Sequence, residues 1–206
     1  NPPDRIAVVT GAARGIGLAI ARWFLTHGHG VGLIDIDDRQ LAVAAAALAE
    51  AGFGDRIEPI AADVSRPAAV DDAISRLVAR FGRIDSLVNN AGVAVFKPIL
   101  ETTFEEWRHV LGTNLDGPFL CTQACAPVMI RCGGGSVVNI ASISGLRAST
   151  LRVAYGTSKA GLMHLTKQQA AELGAVGIRV NAIAPGPVDT AMAKAVHSPA
   201  IRADYH

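Results

Sequence analysis

The chain has 206 residues, half of them hydrophobic, 18% charged, with a formal net charge of +1 at pH 7. That length suits one domain with one well-developed core. The near-neutral balance, with Lys and Arg scattered, excludes a nucleic-acid-binding face and a polybasic membrane patch. No apolar run approaches the ~20 residues of a membrane span, and no signal peptide opens the sequence. Cys121, Cys125 and Cys132 are an odd number within one helical region, without His or Cys partners at metal-ligand spacing. They read as buried reduced thiols of a cytoplasmic protein with no metal site.

Strand-like and helix-like runs alternate in chain order. IAVVTG (6–11) reads as a buried strand and GLAIARWFLTHG (17–28) as a helix stopped by Gly28. VGLIDI (31–36) is a second strand, followed by the Ala-rich helix 39–52 closed by Gly52. IEPIAADV (57–64) is the third strand, a helix covers 68–81, and IDSLVNNAG (84–92) is the fourth strand. A long helical region spans 103–131, SVVNIAS (136–142) is the fifth strand, a helix covers 153–173, and RVNAIAPG (179–186) is the sixth strand. Apolar strands without alternation are expected when helices cover both faces of a parallel sheet. The order therefore predicts an α/β fold, a single domain over 1–206, with a doubly wound parallel sheet of the Rossmann type.

The first strand runs into Thr10-Gly11-Ala12-Ala13-Arg14-Gly15-Ile16-Gly17, where a helix opens. Glycines at 11, 15 and 17 let backbone turn tightly and approach a pyrophosphate resting on the helix N-terminus. A glycine cluster alone is weak evidence, but between strand one and helix one it sits where this fold binds dinucleotides. Asp35 follows at the end of the second strand. A carboxylate there accepts ribose hydroxyls and repels a 2′-phosphate, which favours NAD over NADP. Asp37 and Asp38 add negative charge nearby, whereas Arg14 could meet a phosphate and keeps NADP open.

Tyr155 and Lys159 are four apart in VAYGTSKAGLMHLTKQQAAEL, so phenol and ammonium share one helix face. A phenol with an unperturbed pKa of about 10 is a poor base at neutral pH, and an ammonium a few ångströms away favours its ionised form. Ser142 ends the fifth strand and offers a hydroxyl at its tip.

On these motifs, together with Asn89-Asn90-Ala91-Gly92, Asn114, Tyr155-Gly156-Thr157-Ser158-Lys159 and Pro185-Gly186, the chain resembles the short-chain dehydrogenase/reductase family over essentially its whole length. The resemblance implies an NAD(P)-dependent oxidoreductase in which Ser142, Tyr155, Lys159 and Asn114 are catalytic. It implies that Gly11, Arg14, Gly15, Ile16, Gly17 and Asp35 hold the dinucleotide, with Asp63 on the adenine amino group and Val64 lining that pocket. Asn89, Ala91 and Gly92 would pass beside the cofactor, and Pro185, Gly186, Val188 and Thr190 would contact its nicotinamide end. Tyr155 would be the base in oxidation and the acid in reduction. Lys159 would also hold the nicotinamide ribose, and Ser142 would donate to the substrate oxygen. For Asn89 and Asn114 the residues alone allow a second reading, as buried amides that satisfy backbone groups.

The sequence ends at Asp204-Tyr205-His206, where family members continue with further helices and a strand, so it is expected to be part of a longer chain. The residues after Thr190 are expected to form a loop over substrate. Other substrate contacts are expected from 93–100, with Val95, Phe96 and Ile99 as an apolar wall, and from 143–154, with Arg147 and Arg152. These arginines could meet a carboxylate or sugar hydroxyls, or simply be solvated. Oxidation of a polyol, sugar or other secondary alcohol with NAD is the preferred activity, and the alternative is 3-oxoacyl-[acyl-carrier-protein] reductase. A carrier phosphoprotein is acidic and needs a basic docking surface, but 168–178 contains no Lys or Arg. A dinucleotide-binding protein without catalysis is a third reading, opposed by the presence of all four catalytic residue types. The resemblance also implies a homo-oligomer, a dimer or homotetramer. The resemblance places that pairing on the long helical region 103–131, with Trp107, Leu111, Leu115, Phe119 and Leu120, and on the Tyr155 helix, although a core-facing stripe explains the same residues.

Overall fold

The computed structural model describes residues 5–188. Thr190 and the substrate loop expected after it lie outside those residues. One six-stranded parallel sheet, in the order β3-β2-β1-β4-β5-β6, organises the chain. Its strands are β1 (Ile6–Thr10), β2 (Gly30–Asp35), β3 (Ile57–Ala61), β4 (Ser86–Asn89), β5 (Gly135–Ile140) and β6 (Ile178–Ile183). The helices are α1 (Gly15–Thr26), α2 (Asp38–Leu48), α3 (Pro67–Phe81), α4 (Phe104–Leu111), α5 (Gly117–Arg131) and α6 (Val153–Leu173). This is the doubly wound Rossmann-type arrangement expected from the alternating elements.

Strand alternation sorts the core into two layers. Val9, Leu33 and Val88 point to one face, where Ala21 and Leu25 of α1 and Leu41 and Leu48 of α2 cover them. Val8, Ile34, Leu87 and Val137 point to the other, against Leu77 of α3 and Cys125 and Met129 of α5. Each fully buried Leu or Ile contributes about 1.5–3 kcal/mol relative to exposure, so both faces are tightly held. The edge strand β6 departs from the expectation of uninterrupted burial: Ile178 and Val180 are buried, while Arg179 and Asn181 are exposed.

Local chemistry sets the helix ends. Pro67 opens α3 with a fixed φ, and Gly82 ends it in the left-handed region at φ 76°. Thr103 and Glu106 form a reciprocal capping box at α4. The long helical stretch expected over 103–131 is interrupted by a wider π-helical turn, Gly112–Asp116, that carries the fully buried Asn114. The fourth strand is shorter than its apolar run, because Asn90, Ala91 and Gly92 leave the sheet.

β1 pairs with β2 on one side and β4 on the other. The strand order reverses there, which opens a crevice outside the C-terminal strand ends. No helix among the described residues is long and apolar enough to cross a membrane.

Candidate active site

The crevice is a cleft of about 420 Å³ running from Gly11, Arg14, Gly15 and Ile16 past Asp35, Asp63 and Val64 to Ser142, Tyr155 and Lys159. Ala91, Gly92, Pro185, Gly186 and Val188 also line it.

At one end, the turn after β1 requires glycine. Gly11 has φ +64°, and a Cβ there would lie 2.9 Å from the Ala91 Cα. A Cβ on Gly17 would lie 2.1 Å from the Gly11 carbonyl oxygen, so Gly17 shapes the loop from behind without lining the cleft. Asn90 clamps the same loop, its Nδ2 donating to the Thr10 and Gly11 carbonyls at 2.9 and 3.1 Å. Thr10 Oγ1 accepts in return from the Asn90 and Ala91 amides, both at 3.0 Å. Gly17→Ala is therefore expected to distort the loop, costing about 1–3 kcal/mol of stability and most of the affinity for ADP. Gly174→Ala is the control: φ is −58° and a Cβ meets nothing within 4 Å, so stability should hold or rise by about 0.4–1 kcal/mol. Thermal denaturation and calorimetric titration with ADP check both.

Asp35 is held by two backbone amides, Ala13 N donating to Oδ2 at 2.9 Å and Asp37 N to Oδ1 at 3.1 Å. Arg14 Nη1 pairs with Asp37 Oδ2 at 3.4 Å, an exposed contact. Asp63 Oδ1 accepts from the Ser65 amide at 2.9 Å and its hydroxyl at 2.7 Å, which fixes the carboxylate at the cleft wall.

At the other end, Ser142 follows β5, and its Oγ accepts from the Ser144 amide at 3.1 Å. That occupies one lone pair and leaves the hydroxyl hydrogen to be donated. Tyr155 lies in the first turn of α6, with Lys159 one turn further on and only 4% exposed. Lys159 Nζ donates to the Ile140 carbonyl at 2.7 Å and lies 5.8 Å from the Tyr155 ring centroid. Burial disfavours the ammonium and pulls Lys159 down from 10.5 to about 8. The Phe96 ring lies 6.3 Å from that of Tyr155, and the Arg152 guanidinium covers Phe96 at 5.3 Å. Phe96 and Arg152 line the cleft, whereas Val95, Ile99 and Arg147 do not.

Two predicted residues stand behind the cleft. Asn114 Oδ1 accepts from the Val93 amide at 2.8 Å, and its Nδ2 donates to the Val93 carbonyl at 2.9 Å and to Ser158 Oγ at 3.0 Å. Ser158 in turn donates to the Tyr155 carbonyl at 2.7 Å. The Asn114 side chain thus ties the 93 loop to α6. Asn89 is buried the other way, donating to Asn139 Oδ1 at 2.8 Å. Its neighbour Asn90, unassigned from sequence, is the one that reaches the cleft. Strand alternation was the available signal, since adjacent residues face opposite sides. His109 and Thr113, one turn apart, also line the cleft without having been anticipated.

Among the described residues no cluster of His, Cys, Asp or Glu could hold a metal ion. Burial pushes the Cys121 thiol up to about 12 and the Cys125 thiol well above its usual range, so neither is poised as a nucleophile.

A family model described as short chain dehydrogenase matches residues 5–200. The chain is 43% identical to D-threitol dehydrogenase of Mycolicibacterium smegmatis over 188 residues, covering 90% of this chain and 71% of that protein. It is 37% identical to 3-oxoacyl-[acyl-carrier-protein] reductase FabG of Chlamydia muridarum, covering 93% of this chain and 77% of that one. A crystal structure of NAD+-bound xylitol dehydrogenase matches with a TM-score of 0.84 at 36% identity, over 88% of this chain and 70% of that chain.

Proposed function

The chain belongs to the short-chain dehydrogenase family of oxidoreductases, and on that premise we propose that it oxidises a polyol, sugar or other secondary alcohol with NAD, Tyr155 acting as acid and base. The observation that carries this reading is one cleft lined by the glycine turn, Asp35, Ser142, Tyr155 and Lys159 together.

The residues present fit a nicotinamide dinucleotide. The glycine turn brings bare backbone to the N-terminus of α1, and a Cβ at Gly11 would crowd it. Asp35 stands at the end of β2, where ribose hydroxyls would donate to it, and Asp63 and Val64 would flank the adenine. Gly92, Pro185, Gly186 and Val188 would border the nicotinamide end. When bound, the dinucleotide supplies the hydride acceptor for oxidation and the donor for reduction.

The remaining chemistry belongs to the protein. Ser142, its Oγ oriented by the Ser144 amide, donates to the substrate oxygen and stabilises charge developing there. Tyr155 takes the hydroxyl proton in oxidation and returns it in reduction. Lys159 places a positive charge beside the phenol, which favours the phenolate. The Ile140 carbonyl holds one of its N–H groups and leaves others for the cleft. Asn114 and Ser158 brace the first turn of α6, which carries Tyr155.

Asp35 and Asp37 favour NAD, and identity to a threitol dehydrogenase supports a polyol over an acyl-carrier substrate. The test is NADH absorbance with threitol, galactitol, xylitol and simple secondary alcohols, run beside NADPH oxidation with a 3-oxoacyl thioester. Turnover of a polyol with NAD is expected. Activity confined to the thioester with NADPH would transfer the assignment to the reductase. Assembly through α4, α5 and α6 belongs to the same reading, with Phe119, 46% exposed, as a side chain that pairing would cover.

A further inference from the structure

Ser142 follows β5 as the N-cap of a single 3₁₀ turn, Ile143–Gly145. The turn holds Ser142 twice: the Ser144 amide donates to its Oγ at 3.1 Å, and the Gly145 amide donates to its carbonyl at 2.9 Å. Where the turn lies therefore decides where the Ser142 hydroxyl points. It lies on the bare backbone of α6. A Cβ on Gly145 would stand 2.7 Å from the Ala160 nitrogen and the Lys159 carbonyl carbon, and 2.9 Å from the Lys159 carbonyl oxygen. From the helix side, a Cβ on Gly156 would stand 3.1 Å from the Ser144 carbonyl oxygen. Gly145 is outside the left-handed region, so alanine would strain no dihedral angle there. Space alone excludes the side chain.

We propose that Gly145 is a positioning residue that sets the Ser142 hydroxyl against Tyr155 and Lys159, by seating the turn directly on the helix that carries them. The proposal rests on the alcohol-oxidising reading above and adds to it a residue that does not itself line the cleft. Ser142 reaches the site from β5 and the other two side chains from α6. Their mutual distance is thus set by how closely the two elements approach, and Gly145 is at the point of contact.

A side chain at 145 would move the turn and leave the helix in place. α6 buries Ala154, Ser158, Lys159 and Leu162, and Lys159 is tied to the Ile140 carbonyl. Ile143 in the turn is 43% exposed. Relieving a 2.7 Å approach to the 3.4 Å of ordinary contact shifts the turn by about 0.7 Å, and a misplacement of about 1 Å at an active site costs about 10²-fold in rate. The Ser142 hydroxyl moves with the turn, while Tyr155, Lys159 and the glycine turn after β1 keep their places.

The experiment compares Gly145→Ala with wild type, each with and without Ser142→Ala, in steady-state oxidation of threitol, galactitol or xylitol with NAD and in calorimetric titration with NADH. Gly145→Ala is expected to lower kcat about 10–10²-fold with NADH affinity unchanged. Ser142→Ala alone should cost about 10²–10³-fold, and in that background Gly145→Ala should cost less than about two-fold more, because residues acting through one group are not additive. A loss that multiplies that of Ser142→Ala would overturn the proposal, since the effect would then come from α6 or from folding at large. Unchanged kcat in Gly145→Ala would also overturn it. Gly156→Ala reaches the same contact from the helix, where alanine is the better helix former, and so covers a Gly145 variant that does not fold. Its smaller loss, about 3–10-fold, should likewise vanish once Ser142 is alanine, and persistence there would overturn the proposal. Hydrogen exchange at the Ser144 amide needs no substrate: it should quicken about five-fold in both variants as the bond to Ser142 Oγ is lost, with the α6 amides at wild-type rates. Unchanged exchange at Ser144 would overturn the seat. A wild type that oxidises no alcohol and reduces no ketone would sink the functional reading, and the exchange rates would still decide whether Gly145 places Ser142.

Discussion

Tyr155→Phe is expected to leave nucleotide binding within about two-fold of wild type and to lower turnover by about 10²–10⁴-fold, the range that a positioned acid or base supplies. The substitution removes only the phenolic oxygen. The ring keeps its place in the first turn of α6 and its neighbour Phe96, 6.3 Å away between centroids. The glycine turn at the opposite end of the cleft is untouched. On the proposed mechanism, what disappears is the group that takes the alcohol proton, while Ser142 stays oriented as a donor. Steady-state rates with a polyol and NAD, beside a calorimetric titration with NADH, measure the two effects separately. Unchanged turnover would remove Tyr155 from the mechanism, and loss of NADH binding would make it a structural residue.

Lys159→Met should separate activity from stability, moving them in opposite directions. Turnover is expected to fall about 10²–10³-fold, as when one preorganised charge is removed from an active site. Stability without nucleotide should rise. Burial lowers Lys159 in the folded chain to about 8, whereas the unfolded chain retains the ordinary 10.5. Between those values the unfolded state holds more protons, so this residue's contribution to stability increases with pH across that window and is least favourable below about pH 8. The deficit at pH 7 is about 3 kcal/mol, at about 1.4 kcal/mol for each pH unit separating the two values. Methionine removes it but strands the Ile140 carbonyl, which costs about 1 kcal/mol. A net gain of about 2 kcal/mol at pH 7 is expected, shrinking by pH 9.5 as the wild-type amine loses its proton. Urea titrations at the two pH values measure this. Equal stability of wild type and variant at both would mean that the ammonium is solvated.

The parts of the site legible in the sequence are those fixed by local spacing. Glycines at the β1–α1 turn, a carboxylate ending β2, and a phenol and an amine one helical turn apart require only short-range geometry, and all of them but Gly17 line the cleft. What escaped depends on how distant elements meet. Asn89 and Asn90 are adjacent in sequence, but only the packed sheet shows that one is spent on Asn139 and the other on the glycine turn. Asn114 needed the π-helical turn, which the helical pattern over 103–131 does not announce. The Arg14–Asp37 contact joins two loops that follow different strands. The reversal of strand order follows from β1 pairing with β4, a choice that local propensity does not make.

That pairing gives the cleft a mechanical character. Its walls come from backbone segments far apart along the chain: the Asn90 amide grips carbonyls 79 and 80 residues away. Closing a loop of that length costs about 4 kcal/mol of chain entropy, and the seam so formed carries few covalent constraints. A molecule lying across it acts as a reversible staple between the first three strands and the other three. Because the unfolded chain has no such seam, a ligand at a thousand times its dissociation constant adds about 4 kcal/mol to stability, of the order of the closure cost.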